Sequence, residues 1–230
     1  MPENLHPWLA TLARIDQMLR GRREPSPTAI RASTFWHFST MLTAAGCWYG
    51  AVMGAFNGTA LPRPAQITFS SVKMPLLLLA TFWLTVPSFF VINTLLGLRS
   101  DFAESLKKLI AAQAILTIVL ASLSPLTAFW YVSVPDYQDA IIFNAAMLTI
   151  ASAAAQWSLR RDYRPLITRN PRHRWMLRAW LLIYSFVGIQ MGWVLRPFIG
   201  DPALPTTFFR KNAFTNAYAF VAHLLFEKLR

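Results

Sequence analysis

The stretch KMPLLLLATFWLTVPSFFVINTLLG, residues 73–97, carries no charge after its first position. A helix of roughly 20 residues crosses a hydrocarbon core of about 30 Å, so this stretch is long enough to span a bilayer. Pro87, near its middle, has no amide hydrogen to donate and predicts a kink at the carbonyl of Trp83. We therefore expect a kinked transmembrane helix over residues 74–98.

Apolar runs of similar length occur on both sides of this stretch. They cover residues 34–56, 106–132, 138–158 and 175–195, which gives five expected spans. The composition agrees, because 55% of the 230 residues are hydrophobic, 14% are charged and the mean hydropathy is +0.37. We predict an all-α protein, a polytopic transmembrane helix bundle over residues 34–195, with no room for a separate soluble domain.

Amphipathic segments are expected on both flanks of the bundle. Within residues 1–33, apolar residues recur at helical spacing at Trp8, Leu9, Leu12, Ile15 and Leu19. This N-terminal helix is expected to lie on the membrane surface or to dock on a partner. Residues 196–230 are expected to form a Pro-rich outer loop and a second amphipathic helix at 213–228. Its length of about 24 Å suits an interfacial helix first and a short sixth span second.

Basic residues are concentrated in alternate connections between the predicted spans. They precede the first span, lie between the second and third, and gather around the fourth connection at Arg160, Arg161, Arg164, Arg169, Arg172, Arg174 and Arg178. By the positive-inside rule the N-terminus is cytoplasmic and Arg196 lies on the opposite side. We expect a multi-pass protein of the bacterial inner membrane. The net charge of +12 thus indicates topology and contact with anionic lipids, and no nucleic acid is expected as a partner.

Glycines recur every four residues in two of the spans. Gly46, Gly50 and Gly54 lie in the first, and Gly188 and Gly192 lie in the fifth. Small residues at this spacing leave one helical face bare, so that another helix can approach closely in lipid. We expect these faces to pack helices, either within one subunit or between copies.

Prolines and small polar residues in the second and third spans allow two interpretations. Pro87, Asn93 and Pro125 either serve helix packing or line a hydrated path through the bundle.

The end of the fifth span also allows two interpretations. Arg196 is expected to reach the headgroups while Trp193 settles at the interface, which is an anchor. In the alternative, Arg196, Arg210 and Lys211 form a site for an anionic lipid or a carboxylate.

The spans lack the residues that membrane catalysis usually needs. No acidic residue lies in the interior of a predicted span, and the four histidines are far apart in sequence. The single cysteine, Cys47, excludes an intrachain disulfide and a paired-cysteine metal site. We therefore expect no enzyme activity, no catalytic residues, no cofactor and no metal.

One set of residues in the second and third spans has a family likeness. Lys73-Met74-Pro75, Pro87, Asn93 and Gly97, followed by Asp101-Phe102-Ala103-Glu104 and Ser124-Pro125, resemble the pattern of the Yip1-like family of five-span integral membrane proteins. The resemblance implies a cytoplasmic N-terminus and a non-catalytic helper in membrane organisation or protein assembly.

Together these features predict a non-catalytic scaffold or accessory subunit of a larger membrane protein complex. Its partners would be membrane lipids and either other membrane subunits or further copies of itself. The alternative is a homo-oligomeric channel or small-solute transport subunit, because neutral polar groups and backbone carbonyls can line a pore.

Overall fold

The computed structural model describes residues 16, 32–56 and 63–210, and the regular structure in these residues is helical. The α-helices are α1 (Ala32–Gly54), α2 (Pro64–Leu95), α3 (Phe102–Ser133), α4 (Tyr137–Arg169) and α5 (Arg172–Leu195), and a 3-10 turn, Arg99–Asp101, precedes α3. Apart from Asp16, the predicted N-terminal amphipathic helix lies outside the described residues. The predicted helix at 213–228 lies outside them as well.

Four of these helices, α2 to α5, are long and apolar enough to cross a membrane. By the length and composition of its helices, the chain is a multi-pass membrane protein. The helix α1 forms where the first span was predicted but is not among the four. Its 23 residues include polar residues, glycines and ring-nitrogen residues such as His37 and Trp48 among the apolar ones. A fifth span therefore stays a prediction.

Two helices extend well beyond their predicted spans. The helix α2 begins at Pro64 and not at residue 74, so Lys73 lies inside it, although the sequence had placed Lys73 in a connection. The helix α4 continues past residue 158 to Arg169, so Arg160 and Arg164 lie on a helix and not in a loop. At about 50 Å, a 33-residue helix is longer than the hydrocarbon core, and a hydropathy window stops at the charges although the helix continues.

The prolines inside α2 and α3 do not end these helices. Pro125 leaves the carbonyl of Ala121 without its usual donor, and the Ser124 hydroxyl donates to that carbonyl at 2.7 Å. The Trp48 indole of α1 in turn donates to the Ser124 hydroxyl at 2.8 Å. At Pro125 a side-chain hydroxyl therefore satisfies a main-chain carbonyl that water cannot reach in lipid.

Packing divides the bundle into two halves with a hydrophobic cluster in each. One cluster joins the end of α1 to the first half of α2 and includes Tyr49, Phe56 and Met74. The other joins the second half of α2 to the start of α5 and includes Phe89 and Trp180. The helix α5 packs mainly on α2, and α4 packs mainly on α3. Although α4 and α5 are consecutive, they contact each other little.

Candidate binding cavity

A cavity of about 550 Å³ lies between α2, α3, α4 and α5, where the two hydrophobic clusters meet. Its wall is mainly apolar and includes Met74, Leu77, Leu109, Leu116, Leu148 and Leu181. Small-molecule sites in proteins have volumes of about 300 to 1,000 Å³, are mostly apolar and contain a few polar groups. The cavity therefore has the size and the lining of a binding site.

Six polar side chains also line the cavity, and all of them are uncharged: Thr81, Gln113, Ser152, Gln156, Tyr184 and Ser185. Each lies close to the middle of its helix. They therefore form a polar belt around the centre of an otherwise apolar cavity.

Only part of this polar belt is internally hydrogen-bonded. The Tyr184 hydroxyl donates to Gln113 Oε1 at 2.6 Å, whereas Gln113 Nε2 is 3.5 Å from the carbonyl of Leu78. The latter distance is too long for a strong hydrogen bond. The side chains of Ser152, Gln156 and Ser185 make no hydrogen bond with any residue that the structure describes. The cavity thus presents amide and hydroxyl groups that are free to bind a ligand.

The two predicted glycine faces lie in different surroundings. A Cβ atom at Gly50 would lie 2.3 Å from the Ser70 carbonyl oxygen, and one at Gly54 would lie 2.7 Å from Ser70 Cβ. At Gly46 the nearest atom, Pro75 Cβ, is 3.4 Å away. The glycines of α1 therefore lie where α1 crosses α2.

The glycines of α5 border empty space. A Cβ atom at Gly188 would have only Thr81 Cγ2, at 3.5 Å, within 4 Å, and one at Gly192 would have no atom within that distance. Both residues line the cavity. Their missing side chains therefore enlarge the cavity, and at Gly188 the described neighbour within 4 Å is Thr81 of α2. Packing of this glycine face between copies stays a prediction.

One end of the cavity lies under the segment 196–204, and we call this the loop end of the bundle. Arg63, which directly precedes α2, and three residues of the start of α2 hold the segment. These four residues recur at spacings of three and four, so they share one face. Arg63 donates to the carbonyls of Asp201 and Leu204 at 2.7 and 2.8 Å. Gln66 Nε2 donates to the Phe198 carbonyl at 3.1 Å, and the Ser70 hydroxyl donates to the same oxygen. Phe198 lines the cavity.

Lys73 is the fourth residue of this face, and its side chain is fully buried. Its ammonium group donates to the Pro197 carbonyl at 2.8 Å and lies 4.8 Å from the centre of the Phe208 ring. No carboxylate of the described residues pairs with it. The burial of this cation was not expected from the sequence, although the absence of charge and glycine in residues 64–72 indicates that the helix begins earlier.

The predicted anchor residues meet at the loop end. The Arg196 guanidinium carbon lies 3.2 Å from the centre of the Trp193 ring. Burial lowers the pKa of Arg196 below its ordinary value, and the positive charge of nearby Arg210 lowers it further. Arg210 also interacts with the Tyr137 hydroxyl. Arg196, Trp193 and Arg210 thus lie close together, while Lys211 is outside the described residues.

The three residues of the predicted hydrated path are not brought together. None of Pro87, Asn93 and Pro125 lines the cavity. Asn93 Nδ2 donates to the Leu98 carbonyl at 3.0 Å, where the chain leaves α2.

The opposite end, which we call the arginine end, is held by charged side chains. His173 is fully buried, and its Nε2 lies 3.0 Å from Asp101 Oδ2. Arg169 lies 3.7 Å from Asp101 and 3.2 Å from Glu104. This cluster joins the start of α3 to the end of α4 and the start of α5. No group of His, Cys, Asp and Glu in the described part of the chain is arranged to hold a metal ion.

Comparison with known proteins identifies no relative of this chain. No protein-family model, curated protein or solved structure matches the chain. The resemblance to the Yip1-like family therefore has neither support nor conflict from these searches.

Proposed function

We propose that this chain is a non-catalytic membrane protein that binds a small, mostly apolar molecule in the cavity between α2 and α5. The cavity itself carries the proposal, because its volume of about 550 Å³ and its apolar wall with six polar groups match a small-molecule site. The glycines at 188 and 192 add to this support, since they leave space that side chains would fill.

The alternative of a pore has less support. Hydrophobic clusters fill the bundle on both sides of the cavity, so the described helices of one chain offer no continuous polar path from end to end. A pore formed between several copies stays a prediction. The hydrogen-bonded segment 196–204 also lies across the loop end.

A scaffold or accessory subunit is the second candidate, and the surface of α5 favours it. Only 11% of the most apolar window of α5 is buried, against 28% to 39% in α2, α3 and α4. Trp175, Leu182 and Phe186 are exposed large apolar residues of this helix. Lipid or another membrane subunit would cover them, as the Yip1-like resemblance would also imply. Co-purification of a second membrane subunit in mild detergent, lost on replacing Phe186 by serine, would support this role.

The binding function is tested by filling the cavity. A Cβ atom at position 192 would have no atom within 4 Å, so we expect the fold to tolerate Gly192→Leu, whose side chain extends into the cavity. We expect an apolar molecule to co-purify with the wild-type protein from its membranes and to be lost in this variant, as measured by solvent extraction and mass spectrometry. Leu182→Phe is the matched control, because Leu182 is 71% exposed on the same helix. Equal extracts from all three proteins would contradict the proposal.

A further inference from the structure

We infer that the cavity binds an uncharged, mostly apolar molecule that carries a hydroxyl or carbonyl oxygen, and that this molecule enters from the bilayer between α4 and α5. The inference rests on the proposed binding function and specifies its ligand class and its access route.

The cavity wall argues against an ionised ligand. Every residue that lines the cavity is neutral. A charge moved from water into such surroundings loses its hydration and gains no ionic partner there. The buried cation closest in sequence to the cavity wall, Lys73, already donates to the Pro197 carbonyl and contacts the Phe208 ring. Lys73 itself does not line the cavity.

The polar belt argues against a plain hydrocarbon. The free groups of Ser152, Gln156 and Ser185 can both donate and accept hydrogen bonds. A hydrocarbon that displaced water from them would leave these groups unsatisfied, which is unfavourable in an apolar medium. A ligand oxygen can bond to the Gln156 amide or to the serine hydroxyls, so an alcohol or a carbonyl compound fits better.

The position of the belt places this oxygen near the middle of the bundle. Ser152 and Gln156 are central in α4, and Tyr184 and Ser185 are central in α5. Apolar residues lie above and below them, including Leu148 on one side and Leu159 on the other. The apolar parts of the ligand would therefore extend from a central oxygen toward both clusters.

The gap between α4 and α5 supplies a lateral route. These helices contact each other little, and Ser185 and Ile189 are exposed although they also line the cavity. The segment 196–204 covers the loop end, and the ion cluster of Asp101, Arg169 and His173 lies at the other. The molecule would thus enter from lipid, where an apolar compound is concentrated.

Three radiolabelled probes of equal chain length test the ligand class: 1-dodecanol, dodecane and dodecanoate. They are offered to the full chain in phosphatidylcholine nanodiscs at pH 8, where dodecanoate is ionised. We expect dodecanol to bind roughly tenfold tighter than dodecane. Dodecane leaves the polar groups of the belt without hydrogen bonds, and this lowers the affinity by about that factor or more. Dodecanoate should not bind above the background set by Gly192→Leu.

A variant series separates the ligand class from the binding function. Gln156→Leu combined with Ser152→Ala should abolish the preference for dodecanol while dodecane still binds. Thr149→Val is the matched control on α4, since Thr149 is exposed and its hydroxyl bonds to the Ala145 carbonyl of its own helix. Binding of dodecane or dodecanoate equal to that of dodecanol would overturn the ligand class alone. Binding of no probe above the Gly192→Leu background would overturn the binding function itself.

The route is tested with a bulky residue at the gap. Ile189→Trp should slow the uptake of dodecanol at least severalfold, because Ile189 lines the cavity and is 57% exposed. Leu182→Trp, on the same helix but away from the cavity, should leave the uptake rate unchanged. Equal rates in the two variants would overturn the lateral route.

Discussion

The loop end and the arginine end of the bundle are held together by different kinds of bond. At the loop end, four residues donate to main-chain carbonyls of the segment 196–204: Arg63, which directly precedes α2, and Gln66, Ser70 and Lys73 of α2. At the arginine end, Asp101, Glu104, Arg169 and His173 pair with one another through their side chains. A carbonyl remains an acceptor at every pH, whereas a carboxylate accepts in full only when ionised.

Several of the bonding side chains are also more deeply buried at the loop end than at the arginine end. Gln66, Ser70 and Lys73 are fully buried. The side chains of Arg169 and Glu104 are 58% and 42% exposed. Ion pairs in contact with water are weak, because water solvates and salt screens both partners. Buried groups of α2 therefore hold the segment over the cavity at the loop end, whereas the arginine end combines one buried bond, between His173 and Asp101, with ion pairs of Arg169 that water reaches.

The largest expected effect concerns which side of the membrane each end occupies. In a Cys47→Ser background, Ala203→Cys should react with a membrane-impermeant maleimide in intact cells, and Thr168→Cys should react only after permeabilisation. The physical reason is the positive-inside rule, which places the arginine end in the cytoplasm. Both positions are exposed, so the difference reports on sidedness. The reverse labelling pattern would invert the assignment of the two ends.

The next effect concerns the close helix crossing beside the loop end. Gly50→Ala should lower the free energy of unfolding by roughly 1 to 3 kcal/mol, because the new methyl group would overlap the Ser70 carbonyl and push α1 away from α2. Thermal unfolding in detergent measures this change. Gly46→Ala is the control, with its nearest atom at 3.4 Å, and should have a much smaller effect. Equal melting temperatures for the two variants would contradict the close crossing.

The smallest effects concern the arginine end. Asp101→Asn should lower the free energy of unfolding by about 1 kcal/mol, because it weakens the bond to buried His173 and removes the ion pair with Arg169. Glu104→Gln should lower the free energy of unfolding by less than about 0.5 kcal/mol, since the ion pairs of Glu104 with Arg169 and Lys108 are in contact with water. Chemical denaturation in detergent compares the two variants. An equal or larger loss for Glu104→Gln would show that exposure does not set the strength of this cluster.

The sequence predicted the helical class and four of the spans because apolar length is a property of one continuous segment. It misplaced the start of α2 and the end of α4, because Lys73 and Arg160 resemble loop residues when hydropathy is averaged along the chain. Side-chain burial depends on neighbours from distant segments, so the burial of Lys73 against Pro197 and Phe208 has no local pattern.

The candidate site was harder to predict than the fold. The cavity depends on single residues of four helices, such as Thr81, Gln113, Gln156 and Tyr184, and each of these alone resembles an ordinary polar residue of a membrane helix. Gly188 and Gly192 were expected from their spacing to pack helices, but spacing alone cannot tell a helix contact from an open cavity wall. The roles as scaffold, channel or Yip1-like protein stay predictions.

The bond from the Trp48 indole to the Ser124 hydroxyl has a consequence for how deep α1 sits beside its neighbour. Two apolar helices can slide along each other in lipid with little change in the surface they share, so dispersion forces alone define their vertical offset poorly. A directional bond to a hydroxyl that itself donates to the Ala121 carbonyl favours the offset at which the indole and the hydroxyl meet. Pro125 leaves the Ala121 carbonyl free to orient the Ser124 hydroxyl, and in this way a residue of α3 influences the vertical position of α1.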